Sequence, residues 1–210
     1  MVKTVSEISA KDVAALRKAT GAGMMDAKRA LEETGGDSER AAELLREKGI
    51  ADARKRAGRA TDQGTIGHYL HVQAERPVIG VLVDLASETD FVAKSEDFQQ
   101  AARDIAMHIA AASPTWVRVE DVPADVVDKE KELIAAQARN EGKPDKVIDK
   151  IVEGRVGAFY KDHVLYEQEF VNPERFEGTV GEMVESLAGG MGENISVRQF
   201  ARVAVGQSGD

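Results

Sequence analysis

The 210-residue chain contains no cysteine, so disulfide bonds, thiol nucleophiles and thiolate metal ligands are all excluded. It also lacks any apolar run near the ~20 residues that a membrane-spanning helix needs. Its first residues carry acidic side chains without the apolar core of a secretory signal. These absences together predict a cytoplasmic protein that does not associate with membranes.

Aromatic residues are scarce, and acidic residues outnumber basic ones. Aromatic side chains make up 5% of the chain, so alanine, valine, isoleucine and leucine must form most of the core. The formal net charge of -9 disfavours direct binding to a nucleic-acid backbone. Residues 50–62 are locally basic but contain no aromatic side chain, so we interpret them as a solvated helical linker rather than a nucleic-acid site.

The sequence motifs of common enzymes are absent as well. The only Gly-Lys pair, Gly142-Lys143, precedes a proline and lacks the earlier glycine of a phosphate-binding loop. No Gly-x-Ser-x-Gly or His-Glu-x-x-His pattern occurs. His68 and His71 lie three residues apart in a predicted strand, where they point to opposite faces and cannot share an ion without a bulge. We therefore expect no enzymatic activity, no cofactor and no metal.

Residues 6–50 predict a compact unit of three helices. Ser9 and Asp12 form the pattern of a capping box, and Val13 and Leu16 begin the apolar stripe of the first helix. Glycines follow the second and third apolar stripes, and we expect Gly49 to end the third helix. A unit of this size has only a thin core.

A glycine-rich turn follows the first of these helices and leads into two adjacent methionines. Gly21 and Gly23 allow a sharp backbone turn. Adjacent helical residues point about 100° apart, so Met24 and Met25 are not expected to face the same small core. Two interpretations stay open: one methionine is exposed to bind a partner, or both fill gaps in the core around the turn.

The segment Ser87–Ser95 links two different kinds of structure. The residues before it are typical of a buried strand, and the apolar residues after it recur at helical spacing. In one interpretation, Ser87 or Thr89 caps the helix and Phe91 packs on the core. In the other, Asp90 and Phe91 project from a rigid corner, where the aromatic ring can anchor a partner.

The rest of the chain predicts a sheet covered by helices. Two strands form a hairpin within residues 64–85, and residues 195–205 alternate as a final strand. We expect the apolar residues of that strand on one face and Arg198 and Arg202 on the other, with a helix break just before it at residues 189–192. Helical patterns fill most of the intervening chain, so the fold class is α+β, with the final strand completing an antiparallel sheet.

Two motifs in this chain resemble the signature sequences of the bacterial and organellar elongation factor Ts family. The first is Thr-Gly-Ala-Gly-Met-Met-Asp-Ala-Lys-Arg-Ala-Leu at residues 20–31, and the second is Glu-Thr-Asp-Phe-Val-Ala-Lys at residues 88–94. The similarity covers essentially the whole chain. It continues at residues 141–144, 153–155, 169–171 and 192–195.

The resemblance implies an exchange factor that binds the GDP-bound translational GTPase elongation factor Tu. Such a factor promotes GDP release, so that GTP can bind during translation elongation, and requires no covalent chemistry. The resemblance also implies a ubiquitin-associated-like three-helix domain at residues 1–50, a charged linker at 51–63 and an α+β core at 64–210. This core would bind the GTPase and form a dimer.

Particular site residues are implied by the same resemblance. In the family, the second motif enters the GTPase near its magnesium ion, and it maps here to Thr89, Asp90, Phe91 and Val92. The N-terminal domain would supply further partner contacts. These contacts would be made by Val13, Leu16, Met24 and Met25.

Longer members of the family carry a duplicated core, whereas this chain has space for one copy and resembles the short form. The resemblance therefore implies a homodimer, and we expect the final strand to form its interface because an unpaired strand edge invites a symmetric partner. Two other classes of function stay open at this stage. A generic interaction module would not need Asp90 and Phe91, whereas an enzyme would turn over a substrate alone and depend on Glu88 or Asp90.

Overall fold

The computed structural model describes residues 8–20 and 22–207. Residues 1–7, with which the first predicted domain begins, lie outside the described residues, as do Gly21 of the predicted turn and residues 208–210. The helices are α1 (Ala10–Thr20), α2 (Met24–Glu33), α3 (Ser38–Arg56), α4 (Asp90–Ala93), α5 (Glu96–Ala112), α6 (Ala124–Asn140), α7 (Asp145–His163) and α8 (Val180–Met191). The strands are β1 (Gln63–Gln73), β2 (Arg76–Ser87) and β3 (Ser196–Ala204). The predicted α+β class is confirmed.

The chain divides into two compact units. The first contains the described residues up to 64, together with 86–98 and 184–196. The second contains the described residues of 65–85, 99–183 and the chain from 197 onward. The first unit is therefore assembled from three separate stretches of sequence, and most of the sheet belongs to the second.

Local capping signals explain where the N-terminal helices begin. Before α1, the Ser9 N–H donates to the Asp12 carboxylate at 3.1 Å and the Asp12 N–H donates to the Ser9 hydroxyl at 3.2 Å, which is the predicted capping box. The Asp37 carboxylate caps α3 by accepting from two backbone N–H groups. The three helices share a small core and fit a ubiquitin-associated-like arrangement. That core contains Val13, Leu16, Ala27, Ala30, Leu31 and Ala41.

Gly49 and Gly189 lie inside helices. The prediction that α3 ends at Gly49 is therefore wrong, whereas the helix break predicted at residues 189–192 is present, because α8 ends at Met191 and Gly192 has a φ of 73°. α3 continues past Gly49 to Arg56, and α8 runs through Gly189 to Met191. Within the first unit, a Cβ on Gly189 would lie 2.7 Å from the carbonyl carbon of Gly49. A side chain at Gly189 would therefore push the two helices apart. These glycines serve a close backbone approach, which the sequence pattern alone does not distinguish from a helix stop.

The three strands form one antiparallel sheet in the order β1-β2-β3. The predicted hairpin and returning strand are therefore confirmed. A two-residue turn joins β1 to β2, and its residues, Ala74 and Glu75, have positive φ angles of 49° and 62°. Successive positive φ angles match the right-handed twist of the hairpin, although left-handed backbone costs a residue with a Cβ roughly 1–2 kcal/mol.

One face of the sheet is covered by α5. The buried residues of β2 alternate along the strand as Val81, Val83 and Leu85. α5 approaches β1 so closely that a Cβ on Gly67 would overlap the backbone carbonyl of Ala102. Glycine at position 67 is therefore what allows this helix to lie directly on the sheet.

The opposite face of the sheet exposes apolar side chains, and we call it the outer sheet face. The predicted facing of the final strand is wrong in its second half. Arg202 donates to the Ala110 carbonyl of α5 at 3.4 Å, so it lies towards the covered face, while the neighbouring Val203 is 73% exposed. Arg198 instead pairs with Asp84 of β2. The exposed apolar residues of the outer sheet face are Ile66, Leu70, Val72, Leu82 and Val203.

α6 and α7 pack against each other in the second unit. Gly142, with a φ of 74°, lies in the turn between them, and Pro144 immediately precedes α7. Arg155 of α7 forms an ion pair with Glu141 at 3.2 Å. The turn brings the two helices together, and the exposed ion pair adds a contact between α7 and the end of α6.

Replacing Gly67 with alanine should destabilise the protein, because the new Cβ would collide with backbone that no side-chain rotation can move. Overpacking of this kind costs about 1–3 kcal/mol. Gly154→Ala is the matched control: Gly154 lies within α7 in open space, so helix propensity should stabilise the protein by up to about 1 kcal/mol. Urea unfolding measures both free energies. A Gly67→Ala protein as stable as the unmodified chain would contradict the packing of α5 described above.

Candidate partner-binding site

The candidate segment is a corner where β2 ends and the single turn of α4 begins. The hydroxyl of the buried Ser87 donates to the Thr89 carbonyl at 3.0 Å. The Thr89 hydroxyl caps α4 by accepting from the Val92 N–H at 3.3 Å. Of the two caps expected from the sequence, Thr89 is therefore the one present, and Ser87 holds the backbone before it.

Phe91 projects into solvent from this corner. It is 83% exposed, the largest fraction among the exposed large apolar residues in the described part of the chain. The adjacent Val92 is buried and holds the turn on the protein. The interpretation that packs Phe91 on the core is therefore wrong, and the outward interpretation agrees with the structure.

Asp90 lies next to Phe91 and carries a negative charge. Lys94, one helical turn later, donates to its carboxylate at 2.6 Å. This hydrogen bond and the positive charge of Lys94 lower the pKa of the Asp90 carboxyl. Both side chains are largely exposed, so the pair is solvated and contributes little to stability. The corner therefore presents an ionised carboxylate beside an exposed aromatic ring.

A carboxylate distant in sequence fixes the backbone before Phe91. Glu193 accepts hydrogen bonds from the backbone N–H groups of Glu88 and Thr89, both at 3.1 Å. Its other oxygen accepts from the Thr89 hydroxyl at 2.6 Å. Hydrogen bonds to an ionised acceptor are about twice as strong as neutral ones. Glu193 therefore holds the corner through three contacts on two consecutive residues.

The support is reciprocal, because Glu88 in turn binds the residue after Glu193. The Glu88 carboxylate accepts from the Asn194 N–H at 2.7 Å and lies 3.5 Å from the Arg59 guanidinium. The Asn194 side chain donates to the Arg59 carbonyl at 2.7 Å. We call Glu88, Thr89, Glu193 and Asn194 the corner brace.

Sequence reasoning assigned no role to Glu193 or Asn194. Thr89 and Glu193 are 104 positions apart, and no local pattern relates residues at that separation. The one available signal was that residues 192–195 share the resemblance noted above. That signal marks the residues without indicating what they bind.

The other predicted site residues form two pairs with opposite exposure. Met24 and Met25, in the first turn of α2, are 51% and 63% exposed, so the interpretation that places both in the core is wrong. Val13 and Leu16 are buried in the helical core. Little of either side chain is accessible in the chain alone, and their contact with a partner stays a prediction.

The exposed groups at the corner are a phenyl ring, a carboxylate and an ammonium group, which suit contact with the surface of another protein. In residues 8–20 and 22–207, no group of three or more histidine or acidic side chains is placed to hold a metal ion. Within the same ranges, every helix is too short or too polar to cross a membrane.

Replacing Thr89 with valine should destabilise the protein, because valine keeps the shape of the side chain but loses the hydroxyl that caps α4 and donates to Glu193. Losing an N-cap costs about 0.5–2 kcal/mol. Thr89→Ser is the control: it restores the hydroxyl and should stay within about 0.5 kcal/mol of the unmodified chain. Urea unfolding compares the two variants, and equal losses of stability would contradict the role given to the hydroxyl.

Comparison with known proteins gives a consistent result. The family model described as elongation factor TS matches residues 1–207. The chain is 52% identical to elongation factor Ts of Geobacter metallireducens, over 95% of this chain and 90% of that protein. It is 51% identical to elongation factor Ts of Desulforamulus reducens, over 97% of this chain and 91% of that protein. It is 50% identical to elongation factor Ts of Thermosipho melanesiensis, over 95% of this chain and 100% of that protein. The chain belongs to the elongation factor Ts family.

Proposed function

We propose that the chain is a nucleotide exchange factor that binds elongation factor Tu in its GDP-bound and nucleotide-free states. It promotes GDP release so that GTP can bind during translation elongation in the cytoplasm. Membership of the elongation factor Ts family supports the partner and the reaction. The observation that carries the mechanism is the 83% exposure of Phe91 on a braced corner. The factor acts by binding, without a cofactor, covalent chemistry or direct contact with nucleic acid.

Phe91 is the proposed wedge. Burying a phenylalanine side chain in a pocket is worth about 1.5–3 kcal/mol relative to leaving it exposed. The corner already fixes the backbone around Phe91, so little conformational freedom is lost when the ring enters the partner. This energy becomes available only in the complex, where it can separate groups of the GTPase.

Exchange then follows from thermodynamic linkage. A factor that binds the empty GTPase more tightly than the GDP-bound form weakens GDP binding by the same ratio. Each ~1.4 kcal/mol of that difference is worth tenfold in affinity. In this proposal Phe91 displaces partner side chains near the magnesium ion, and the Asp90 carboxylate disturbs the groups around that ion. Thr89 and Val92 hold these two residues in place.

We assign a second contact to the N-terminal helices. Met24 and Met25 present flexible apolar surface at the start of α2, and this surface can adapt to a partner. In this proposal residues 1–50 form the partner-binding helical domain, residues 51–63 the charged linker and residues 64–210 the core. Two linked contacts raise the effective concentration of the corner near its target.

The two acidic residues on which an enzymatic alternative depends both interact with other groups of the chain. Glu88 accepts from the Asn194 N–H, and Asp90 pairs with Lys94. The Glu88 carboxylate is therefore occupied in holding the corner, which counts against a catalytic role for it, whereas the exposed Asp90 stays accessible to a partner protein.

We propose that the outer sheet face binds a second copy of the chain. Clustered exposed apolar side chains mark an interaction surface, and five large ones on this face are more than half exposed. The relative from Thermosipho melanesiensis is matched over 100% of its own length, so chains of this extent occur in the family. A two-fold interface would pair the same face of both copies, including β3.

Leu82→Asp should convert the dimer into monomers, because burying a carboxylate in an apolar interface is strongly unfavourable. Leu82 lies on the central strand and is 55% exposed. Leu133→Asp is the control, since Leu133 is similarly exposed but belongs to α6 rather than to a strand of the sheet, and this variant should remain dimeric. Sedimentation equilibrium measures the mass. An unmodified chain that sediments as a monomer at micromolar concentration would contradict the dimer.

Phe91→Ala should reduce the exchange activity without unfolding the protein, because the exposed ring makes few contacts within the chain. The unmodified chain should accelerate release of fluorescent GDP from elongation factor Tu in stopped-flow measurements. The acceleration of GDP release by the variant should be at least roughly tenfold smaller. Leu133→Ala, another exposed apolar truncation, should exchange normally.

Two outcomes of this experiment would count against the proposal in different ways. If the folded, unmodified chain fails to accelerate GDP release from a GTPase of the same organism, the exchange function is wrong. If Phe91→Ala accelerates release as well as the unmodified chain does, the exchange function holds and the wedge mechanism is wrong.

A further inference from the structure

The contacts of Glu193 converge on the residues that lead into the Phe91 turn. Its carboxylate accepts from the N–H groups of Glu88 and Thr89 at 3.1 Å and from the Thr89 hydroxyl at 2.6 Å. We propose that Glu193 is a positioning residue for nucleotide exchange, which sets the direction of Phe91 by fixing Thr89. This inference rests on the exchange function proposed above and adds a residue outside the motif that meets the GTPase.

The single turn of α4 depends on such an anchor. A helix of four residues cannot sustain itself, because helix nucleation is unfavourable without further contacts. The capping bond from the Val92 N–H to Thr89 is 3.3 Å long, whereas the bond from Thr89 to Glu193 is 2.6 Å. The shorter, charge-assisted contact therefore places the cap, and the cap places the turn that carries Phe91.

Glu193 is itself held in position from both sides. Before it, Gly192 has a φ of 73° and closes α8, with its N–H donating to the Ala188 carbonyl at 2.9 Å. After it, Asn194 is 9% exposed and binds Glu88 and the Arg59 carbonyl. The carboxylate thus belongs to a rigid frame, which is what a positioning group requires.

The chemistry of the three contacts distinguishes two substitutions at this site. Glu193→Ala removes all three acceptor contacts. Glu193→Gln keeps the shape, since its amide oxygen can accept from the two backbone N–H groups while its amide nitrogen donates to the Thr89 hydroxyl. A positioning role therefore predicts that Glu193→Ala lowers the exchange rate and that Glu193→Gln keeps most of it.

The test is stopped-flow GDP release from elongation factor Tu over a range of factor concentrations. Glu193→Ala should lower the maximum rate at least roughly tenfold, which corresponds to ~1.4 kcal/mol, with a smaller change in the concentration giving half the maximum rate. Glu193→Gln should keep most of the rate. Glu185→Ala is the matched control, because it removes another carboxylate of the α8 region, one paired with Arg54, and should leave exchange unchanged.

A double variant shows whether Glu193 acts through Phe91. In a Phe91→Ala background, adding Glu193→Ala should cause no further loss, because the group being positioned is already gone. Independent, multiplying losses would overturn the inference, and so would a folded Glu193→Ala protein that exchanges as fast as the unmodified chain.

Amide hydrogen exchange of the unmodified chain provides a measurement that does not depend on any variant folding, and the Glu193→Gln protein can then be compared with it. In the unmodified chain the Glu88 and Thr89 amides should be protected, and Glu193→Gln should preserve most of that protection. Rapid exchange at both amides in the unmodified chain would overturn the inference. Failure of the unmodified chain to release GDP from its partner would instead overturn the proposed exchange function, so the two failures are distinguishable.

Discussion

The corner brace is the interaction on which the geometry of the candidate site depends. A strand end and one helical turn do not hold an exposed aromatic ring in a fixed direction by themselves. Here carboxylates cross between two distant stretches, with Glu193 binding the backbone at Thr89 and Glu88 binding the backbone at Asn194. Asn194 extends the network to the chain after α3. The first unit is assembled from three stretches of sequence, and the brace joins all three.

The sheet shows how a chain poor in aromatic residues builds a core and still leaves apolar surface. α5 lies directly on the sheet where Gly67 and Ala102 allow the two backbones to approach. One helical layer covers one face. The outer sheet face exposes large aliphatic side chains to solvent, and binding of a second copy of the chain would bury them.

Local signals in the sequence predicted local structure well and tertiary structure less well. The Ser9 and Asp12 capping box was predictable because it depends on residues three apart. The prediction for Gly49 was wrong because a glycine at which a second helix packs closely has the same sequence pattern as a glycine that ends a helix. β3 was misread because Arg198 and Arg202 should share a face in a regular strand, and only their contacts reveal that they do not. The exposure of Phe91 was undetermined because it depends on the fold around it.

The long sequence separation within the corner brace has a consequence for synthesis of the chain. Thr89 is added to the growing chain 104 residues before Glu193, an interval of roughly 5–20 s at typical translation rates. The N-terminal helices have their own core and can fold during that time. The corner lacks its anchor and β2 lacks one of its neighbours until the last part of the chain emerges. A nascent or truncated chain therefore carries the motif without its geometry, and completion of synthesis is the step that assembles the site.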